Sequence, residues 1–489
     1  MANRGVPEHI RALAEGYARI PVAKTLPAEK RTPIDLFRAM KNVSRNCFIL
    51  ESLEDSGLWG RYTFLGYDPR LEISCLDGSL TIKNGSTVRF SGANPGGHIK
   101  RILDENRAPR LPDMPPFTGG LVGYFSYDYV KYGEPALKLD APDEEGFKDV
   151  DLMLFDKTVV WDRLEEKIIL IVNVKTDALL ENYNRAVNEL DAMARLLDGG
   201  EGAEMPPLRL LSPFRRLFTK ERYCGMVEQA RAYIREGDIF QVVLSNRLDA
   251  GIEGSLFDTY MALRRINPSP YMFYFSSDDG GNGAFEIAGA SPETLVKLTD
   301  GLLYTFPLAG TRRRGRTPEE DAALERELLA DPKELAEHNM LVDLGRNDLG
   351  KVSEFASVRV ERYLSIERFS HVMHIGSTVR GKLREGLGAL DAVNAVLPAG
   401  TLSGAPKIRA CRIINELENN KRGIYGGAIG YIDFSGNMDT CIAIRIAFRK
   451  GGRVFVRSGA GIVADSVGEN EYEECENKMR AVINALSGE

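Results

Sequence analysis

The order of strand-like and helix-like segments is the feature that most constrains the fold of this 489-residue chain. In the first half, short alternating runs such as residues 70–74 are separated by Asp-Gly and Asn-Gly turns, which is typical of antiparallel strands. In the second half, Thr219 can cap a helix that ends at Gly237. A strand follows at once, and two later hairpins turn at residues 299–301 and 450–452. Because helices and hairpins alternate without a regular βαβ rhythm, the sequence predicts an α+β fold with antiparallel sheets.

A break in the pattern occurs at residues 198–207, where glycine, acidic residues and proline replace the apolar periodicity. The length of the chain also suits two or three domains. The sequence therefore predicts two regions, an N-terminal one at residues 20–200 and a C-terminal one at residues 213–487.

The composition excludes several classes of protein. With 43% hydrophobic and 27% charged residues, the chain is not of the disordered class. A formal charge of −7 argues against nucleic-acid binding as the main role. The six cysteines are scattered without a C-x-x-C pair, which favours free thiols over a disulfide scaffold or a zinc site. With no signal peptide and no apolar run of membrane-spanning length, the sequence indicates a cytoplasmic protein without membrane contact.

Five glutamates are crowded into residues 469–478, near the C-terminal end. If residues 469–487 form a helix, Glu471, Glu474 and Lys478 lie together on one flank of its apolar stripe. Like charges beside a buried surface repel one another strongly unless a cation lies between them. A solvated helix face is the ordinary explanation of such a run of charge.

A second helix carries a similar pair of carboxylates. Asp331 is suited to the N-cap and Pro332 to the first helical position, and Glu334 would complete a capping box. Glu334 and Glu337 are again three residues apart. Two such pairs could face each other across Mg²⁺, which prefers oxygen ligands and keeps several waters. Taken alone, a residue like Glu334 is more often only a cap partner, and one like Glu337 only a surface residue.

The run at residues 440–448 alternates by parity, so we expect one continuous strand. Ile442, Ile444 and Ile446 would then share one face, and Arg445 would lie among small residues on the other. Such an arginine is suited to receive a carboxylate, although an arginine on a solvated face fits the pattern equally well.

Three other polar features are less specific. Gln241 lies on the face of a predicted strand opposite Val242, and its uncharged amide cannot act as a strong base. His371 and His374 have helical spacing and no obvious third ligand, which is typical of structural histidines. Residues 459–464 formally match a dinucleotide-binding pattern, but they do not open a βαβ unit, so we exclude that cofactor. Their glycines would still let backbone N–H groups approach an anion.

Taken together, these segments resemble the chorismate-utilising enzymes. I-L-E-S at residues 49–52 extends the resemblance to the N-terminal region, so it covers nearly the whole chain. It implies the anthranilate synthase-type α+β fold, in which antiparallel sheets form a sandwich flanked by helices and two subdomains intertwine. The motifs that carry the resemblance, in the family's order, are P-L-A-G-T-R-R-R-G, A-E-H-N-M-L-V-D-L-G-R-N-D-L-G, F-S-H-V-M-H, P-A-G-T-L-S-G-A-P-K, Y-G-G-A-I-G-Y, N-M-D-T-C-I-A-I-R and S-G-A-G-I-V-A-D-S.

Two positions separate the reactions within the family. Isochorismate- and salicylate-forming members have a lysine at the position of Gln241, where it activates water. Aminodeoxychorismate synthases have one at the position of Ala309. Since both lysines are missing, the chain resembles the large subunits of anthranilate synthase. Ammonia is already a competent nucleophile and needs no lysine base, whereas water does. The resemblance implies that chorismate and ammonia give anthranilate and pyruvate through an aminodeoxyisochorismate intermediate, the first step of tryptophan biosynthesis.

The resemblance also assigns roles to individual residues. It makes Glu293 the acid that protonates the departing hydroxyl, His374 the group that assists pyruvate loss, and Gln241 the position that decides the nucleophile. The implied Mg²⁺ cluster is Glu334, Glu337, Glu471 and Glu474, with Glu337 and Glu474 as direct ligands. The implied chorismate site is Gly310, Thr311, Tyr425, Arg445, Gly459, Gly461 and Lys478, with Arg445 on the enolpyruvyl carboxylate.

Feedback inhibition and a partner subunit follow from the same resemblance. Large subunits of this kind are commonly inhibited by L-tryptophan between the two regions. No G-x-C-x-G loop of a glutamine amidotransferase occurs in the sequence, so we expect ammonia from a separate amidotransferase subunit in a heterotetramer. Open alternatives are an aminodeoxychorismate synthase, an enzyme that stops at the intermediate, and an inactive tryptophan-sensing subunit. The residues that resemble the tryptophan pocket are Glu51, Ser52, Pro270, Tyr271, Met272 and Tyr431.

Overall fold

The structure is a computed structural model, and its strands form two large antiparallel sheets. The described residues are 5–29, 31–53, 60–199, 202–278, 283–369 and 372–488. The strands of the N-terminal region are β1 (Arg19–Pro27), β2 (Cys47–Glu51), β3 (Tyr62–Tyr67), β4 (Leu71–Leu76), β5 (Ser79–Asn84), β6 (Ser86–Phe90), β7 (Gly120–Phe125), β8 (Val150–Phe155), β9 (Lys157–Asp162) and β10 (Lys167–Lys175). The strands that follow are β11 (Arg209–Leu210), β12 (Arg215–Arg216), β13 (Gln241–Glu253), β14 (Tyr271–Asp278), β15 (Ala284–Ser291), β16 (Thr294–Thr299), β17 (Leu302–Thr305), β18 (Leu308–Arg313), β19 (Arg359–Arg368), β20 (Val372–Lys382), β21 (Gly404–Ala405), β22 (Ala428–Asp433), β23 (Met438–Ile442), β24 (Ile446–Lys450) and β25 (Arg453–Ile462).

Helices cover the outer faces of the two sheets. Two short 3₁₀ turns lie at Tyr127–Tyr129 and Gly400–Leu402. The α-helices are α1 (Glu8–Ala14), α2 (Pro33–Lys41), α3 (Pro95–Asp104), α4 (Val130–Gly133), α5 (Leu179–Asp198), α6 (Lys220–Arg235), α7 (Phe257–Ile266), α8 (Pro318–Ala330), α9 (Pro332–Gly350), α10 (Ala389–Val396), α11 (Lys407–Glu418) and α12 (Gly468–Ser487).

Each sheet combines strands from both regions of the chain. The path of the first sheet is β1-β10-β9-β3-β2-β14-β15-β24-β25-β13-β11, with β12 and β21 also paired to β13. The path of the second is β18-β20-β17-β16-β23-β22-β7-β8-β4-β5-β6, with β19 paired to β20. The regions meet at β2–β14 and β7–β22. The predicted α+β fold with antiparallel sheets and intertwined parts is therefore confirmed, whereas the domain limits at 20–200 and 213–487 stay a prediction.

Three hydrophobic cores separate four layers. One core lies between the two sheets and is rich in aromatic side chains such as Phe48, Phe155 and Phe448. A second packs the first sheet against helices that include α6, α7, α11 and α12. A third packs the second sheet against α3, α9 and α10. This arrangement places α9 and α12, which carry the paired glutamates, on different sheets of the sandwich.

The expectation of one continuous strand over residues 440–448 is wrong. β23 ends at Ile442 in the second sheet, and β24 begins at Ile446 in the first sheet. The chain crosses between the sheets at residues 443–445, where Arg445 has a φ of 53°. Parity alternation cannot reveal this crossing, because both flanking strands are apolar. Arg445 therefore lies at a crossover rather than on a strand face.

The predicted helix starts are confirmed at both caps. Thr219 accepts a hydrogen bond from the backbone N–H of Arg222, and α6 begins at the next residue. Asp331 accepts from the backbone N–H groups of Lys333 and Glu334. The predicted capping box is wrong, because the Glu334 side chain instead accepts a hydrogen bond from Arg312 at 3.4 Å.

Other expectations about local structure have mixed outcomes. The helical spacing of His371 and His374 does not reflect a helix at His374, because this residue lies on strand β20. His371 lies outside the described residues. All six cysteines are free thiols, as predicted. Within the described part of the chain, no helix combines the length and the apolar character needed to cross a membrane.

Candidate active site

A cavity of about 740 Å³ opens between the helices α9 and α12 and the strands β13, β18, β20 and β25. All the residues that the sequence assigned to catalysis, chorismate binding and the metal line it. Those residues are Gln241, Glu293, Gly310, Thr311, Glu334, Glu337, His374, Tyr425, Arg445, Gly459, Gly461, Glu471, Glu474 and Lys478.

Glu293 is a buried acid in the wall of this cavity. Burial raises the pKa of its carboxyl to about 7, while a hydrogen bond from Thr401 and the charge of Lys478 oppose the shift. The Thr401 hydroxyl donates to Glu293 at 3.2 Å. A carboxyl with a pKa near 7 is populated in both protonation states at neutral pH, so it can act as a general acid.

His374 is held in one orientation by strand β18. Its Nδ1 lies 2.9 Å from the carbonyl oxygen of Gly310 and 3.1 Å from the hydroxyl of Thr311. Because a carbonyl can only accept, Nδ1 carries the proton and donates it to Gly310. Burial lowers the pKa of His374, with a contribution from Arg445, so the ring is neutral at pH 7. Nε2 then keeps its lone pair and can accept a proton.

The four predicted metal ligands line the same cavity from two helices. Burial raises the pKa of Glu337, and the neighbouring charges of Glu334 and Glu474 raise it further. The pKa of Glu471 is likewise raised by burial and by Glu474. Burial is thus the main cause of both shifts, and the charges of neighbouring carboxylates contribute a smaller part.

Two of these carboxylates also have cationic partners. Lys478 lies 2.6 Å from Glu474, and Arg312 lies 3.4 Å from Glu334. Among the described residues, no three His, Cys, Asp or Glu side chains are gathered closely enough to enclose a metal ion. The four glutamates thus line one cavity without three of them converging on a common point among the described residues.

Arg445 brings an available guanidinium to the cavity. Within the described part of the chain, no side chain forms a hydrogen bond or an ion pair with it, and burial lowers its pKa. A half-buried arginine without a partner is suited to bind a carboxylate in two parallel hydrogen bonds. Lys478 supplies a second cation, which also donates to the carbonyl oxygen of Gly459 at 3.1 Å.

Glycines let the backbone approach the cavity closely. Gly310 has a φ of 68°, and a Cβ at this position would lie 3.2 Å from Oε2 of Glu334. A Cβ at Gly459 would lie 2.7 Å from the carbonyl oxygen of Leu244 and 3.1 Å from the hydroxyl of Tyr425. Side chains at these positions would fill the space beside the carboxylates and the tyrosine.

Gln241 begins strand β13 and points its amide at the cavity wall. Its Oε1 is buried and has no hydrogen-bond partner among the described residues. A Cβ at Gly461 would lie 2.7 Å from its Nε2. An unpartnered buried acceptor is costly unless a ligand satisfies it, so the amide is placed to accept a hydrogen bond from a bound molecule.

Sequence reasoning missed several residues of the site. Thr401, Lys333 and Arg457 also line the cavity. Arg457 is two residues before Gly459 on β25, so parity along the strand could have identified it. Thr401 lies within a quoted motif, but only the fold brings it to Glu293.

The residues of the predicted tryptophan pocket lie apart from this cavity, in and between the two sheets. Met272 and Glu51 are directly opposite each other on β14 and β2. The Glu51 carboxylate is occupied by hydrogen bonds from Tyr260 and Arg264. The Ser52 hydroxyl is buried and has no partner among the described residues.

The two tyrosines of the predicted pocket come from different sheets. Tyr271 on β14 donates to Asp439 of β23 at 2.8 Å. Tyr431 on β22 packs its ring 4.6 Å from that of Phe117. Pro270 lies directly before β14. Tyr271 and Tyr431 therefore belong to the aromatic core between the sheets, whereas Met272 belongs to the core on the helix side of the first sheet. The role of the six residues in binding tryptophan stays a prediction.

Comparison with known proteins identifies the family. The family described as chorismate binding enzyme matches residues 60–484. Anthranilate synthase component 1 of Acetivibrio thermocellus is 45% identical, with 98% of this chain and 97% of the relative covered. The protein of the same name from Pseudomonas aeruginosa is 44% identical, with 98% of each chain covered.

Solved structures agree with this relationship. The crystal structure of anthranilate synthase component I from Streptococcus pneumoniae has a TM-score of 0.75 at 39% identity, over 88% of this chain and 94% of that one. MenF, the menaquinone-specific isochorismate synthase of Escherichia coli, has the same fold, with a TM-score of 0.70 at 19% identity and 98% of each chain covered. The chain therefore belongs to the chorismate-binding enzyme family, among its anthranilate synthase component 1 members.

Proposed function

We propose that the chain is the large subunit of anthranilate synthase, a carbon–oxygen lyase that converts chorismate and ammonia into anthranilate, pyruvate and water. The observation that carries the proposal is that Gln241 and Glu293 line the same cavity. A glutamine amide cannot deprotonate water, whereas a buried acid can protonate a leaving hydroxyl. A site built in this way suits a nucleophile that needs no base.

In the first step, ammonia forms a bond to C2 of chorismate as the C4–O bond breaks. Glu293 gives its proton to the departing hydroxyl, which leaves as water. The Gln241 Oε1, which has no hydrogen-bond partner in the described part of the chain, accepts a hydrogen bond from the nucleophile and orients it. Arg445 binds the enolpyruvyl carboxylate, and Lys478 lies beside it at the rim of the cavity.

In the second step, the intermediate loses pyruvate and becomes aromatic. The C2 proton must be removed while the C3–O bond breaks and the enolpyruvyl group leaves. Neutral His374 is suited to assist this step, because its Nδ1 is bonded to Gly310 and its Nε2 is free to accept the proton.

A divalent cation completes the proposed site. Mg²⁺ would be held by Glu337 and Glu474 directly, with Glu334 and Glu471 beside them, and it would hold the ring carboxylate and offset its charge. The position of the four glutamates along one cavity supports this assignment, and the pKa values of Glu337 and Glu471 are raised mainly by burial and in smaller part by neighbouring carboxylates.

The proposal includes a partner and a place in the cell. Glutamine-derived ammonia would come from a separate amidotransferase subunit in a heterotetramer, and free ammonia at high pH could replace it. The name component 1, which the relatives carry, implies a second component. We assign residues 213–487 to catalysis, residues 20–200 to tryptophan sensing, and the protein to the cytoplasm.

Feedback inhibition by L-tryptophan is the regulatory part of the proposal. The Ser52 hydroxyl, which is buried and lacks a partner among the described residues, supports a ligand site there, because such a group favours a bound partner. The proposed pocket would also include Glu51 and Met272, which are paired across β2 and β14, together with Pro270, Tyr271 and Tyr431.

One incubation tests the reaction. The protein is mixed with chorismate, Mg²⁺ and an ammonium salt, and fluorescent anthranilate is followed over time, with ammonium-free and Mg²⁺-free mixtures as controls. We expect anthranilate only in the complete mixture. Accumulation of the non-aromatic intermediate alone would indicate an enzyme that stops there, an aminodeoxychorismate product would identify the other synthase, and no turnover would indicate an inactive subunit.

A further inference from the structure

A buried cluster of charged side chains lies beside the cavity. It consists of Glu418 at the end of α11, Arg422 in the following loop and Arg457 on β25, all at most 1% exposed. Oε2 of Glu418 accepts hydrogen bonds from Nε of Arg422 at 2.9 Å and from Nη2 of Arg457 at 2.7 Å. One carboxylate is therefore shared by two guanidinium groups.

The cluster has one positive charge more than its carboxylate requires. Burying an ion is costly, and one guanidinium is enough to neutralise Glu418. Arg422 makes a two-point pair with Glu418, since its Nη2 also donates to Oε1 at 2.5 Å. Arg457 makes a single bond to Glu418, and its remaining N–H groups donate to Ser245 at 2.8 Å and Asn420 at 2.9 Å. Because one carboxylate balances only one guanidinium, charge pairing alone does not explain why both arginines are buried here, and the other contacts of Arg422 bear on its role.

Those contacts are with the wall of the cavity. Nη1 of Arg422 donates to the carbonyl oxygen of Leu402, and Nη2 donates to that of Val243, each at 2.6 Å. Leu402 and Val243 both line the cavity, but Arg422 does not. Leu402 follows Thr401, which bonds Glu293, and Val243 is two residues after Gln241 on β13.

The flat face of Arg422 also contacts two aromatic rings. Its guanidinium carbon lies 4.7 Å from the ring centre of Tyr127 and 5.9 Å from that of Tyr425. Tyr425 lines the cavity, whereas Tyr127 does not. A planar fork that donates in several directions while stacking on rings is a property of arginine that lysine lacks.

We propose that Arg422 is a positioning residue of the candidate active site, which holds Tyr425 and the walls at Val243 and Leu402 in place without touching the substrate. The inference rests on the proposed function, because its effect is read through turnover of chorismate. Small displacements of groups around a reacting centre lower rates strongly even when every group is present.

The test compares Arg422→Lys with Arg247→Lys. Arg247 is a matched control, because it is buried, lies 2.6 Å from buried Glu145 and has its guanidinium 5.3 Å from the ring of Phe455, yet none of these three lines the cavity.

The measurements are kcat and KM for chorismate per folded enzyme, at constant Mg²⁺ and free ammonia, together with thermal midpoints. Arg422→Lys keeps the charge but loses the planar fork, so we expect kcat/KM to fall at least about tenfold. Arg247→Lys should lower only the midpoint.

A second variant covers the case in which Arg422→Lys does not fold. Tyr127→Leu removes a ring that packs on Arg422 without altering any residue of the cavity wall. We expect a loss of about threefold or more in kcat/KM per folded enzyme. Wild-type kinetics in both Arg422→Lys and Tyr127→Leu, or equal losses in Arg422→Lys and Arg247→Lys, would overturn the proposal. If the wild-type protein itself forms no anthranilate, the proposed function has failed instead.

Discussion

The hydroxyl of Thr401 lies 3.2 Å from Oε1 of Glu293, and it donates a hydrogen bond to this carboxyl in the wall of the cavity. Burial raises the pKa of Glu293 to about 7, and the Thr401 bond acts in the opposite direction because it favours the charged form. The balance of the two keeps a proton available for transfer near neutral pH.

Thr401→Val should shift the pH dependence of turnover. Loss of the donated hydrogen bond raises the pKa of Glu293, so the protonated acid persists to higher pH and the alkaline limb of kcat/KM moves upward. The measurement is kcat/KM for chorismate between about pH 6 and 9 at constant free ammonia. Thr158→Val is the control, since its hydroxyl donates to the Thr118 carbonyl oxygen at 3.0 Å and does not line the cavity. An unchanged alkaline limb would contradict this role of Thr401.

Glu293→Gln should lower kcat by about 10²–10⁴-fold, because the amide cannot protonate the departing hydroxyl. The stability of the variant, in contrast, should increase relative to that of the wild-type protein as the pH rises. The folded-state pKa of about 7 lies above the ordinary 4.5, so the stabilising effect of the proton is complete below pH 4.5 and is lost as the pH rises through 7. Between pH 5 and 8, the thermal midpoint of the variant should therefore rise relative to wild type. A constant difference in midpoint would argue against a buried acid.

Glu474→Gln should cut activity severely and weaken the Mg²⁺ requirement, since the variant loses one of the proposed ligands. Glu476→Gln is the control on the same helix, because Glu476 pairs with Arg216 at 2.7 Å and lines neither the cavity nor its rim. Activity is titrated with Mg²⁺, and the shift of the thermal midpoint on adding Mg²⁺ gives a reading that is independent of turnover. Wild-type turnover with an unchanged metal requirement would remove Glu474 from the site.

Gln241→Lys should introduce some water chemistry. A lysine at this position lies in the cavity wall and can act as a base toward water, so isochorismate or salicylate should appear beside anthranilate. Products are separated by chromatography after incubation with and without ammonium. Gln241→Met, of similar volume and without basicity, is the control. A fully active variant that forms only anthranilate would show that this position does not select the nucleophile.

Ser52→Phe should relieve inhibition by tryptophan and spare catalysis. Ser52 is 7% exposed and lies outside the active-site cavity, so a phenyl group would occupy the proposed pocket without contact with the substrate. The measurement is anthranilate formation over a range of tryptophan concentrations, with the uninhibited rate of the same variant as its internal reference. Inhibition of wild-type strength would place the tryptophan site elsewhere.

The fold was predictable where local signals determine structure. Thr219 and Asp331 mark helix starts because their side chains satisfy free N–H groups, and this chemistry is visible in the sequence. The change of sheet at Arg445 was not predictable, because the alternation of apolar residues continues through it. His374 was placed at helical spacing in error, since a spacing of three residues does not distinguish a helix from a strand without a longer pattern.

The candidate site was predictable mainly through motifs. The spacing of the glutamates suggested that Glu334 and Glu474 each belong to a pair of carboxylates on its own helix. Only the family resemblance predicted that both pairs share one site with Glu293. Thr401 and Arg422 were missed because their contacts cross between distant parts of the chain. Arg422, for example, reaches a carbonyl 179 residues away on β13. Such contacts are set by tertiary packing and leave no periodic trace in the sequence.

The strand pairs β2–β14 and β7–β22, at which the two regions of the chain meet, have a consequence for how the protein folds during synthesis. Strand β2 pairs with β14, which lies more than 200 residues later in the sequence, and β7 pairs with β22, which lies some 300 residues later. The second sheet is incomplete until the ribosome has synthesised β23, and the first until it has synthesised β25, so the edges that await these late strands stay exposed during most of translation. We therefore expect the nascent chain to depend on chaperones, and fragments truncated before residue 428 to aggregate rather than fold.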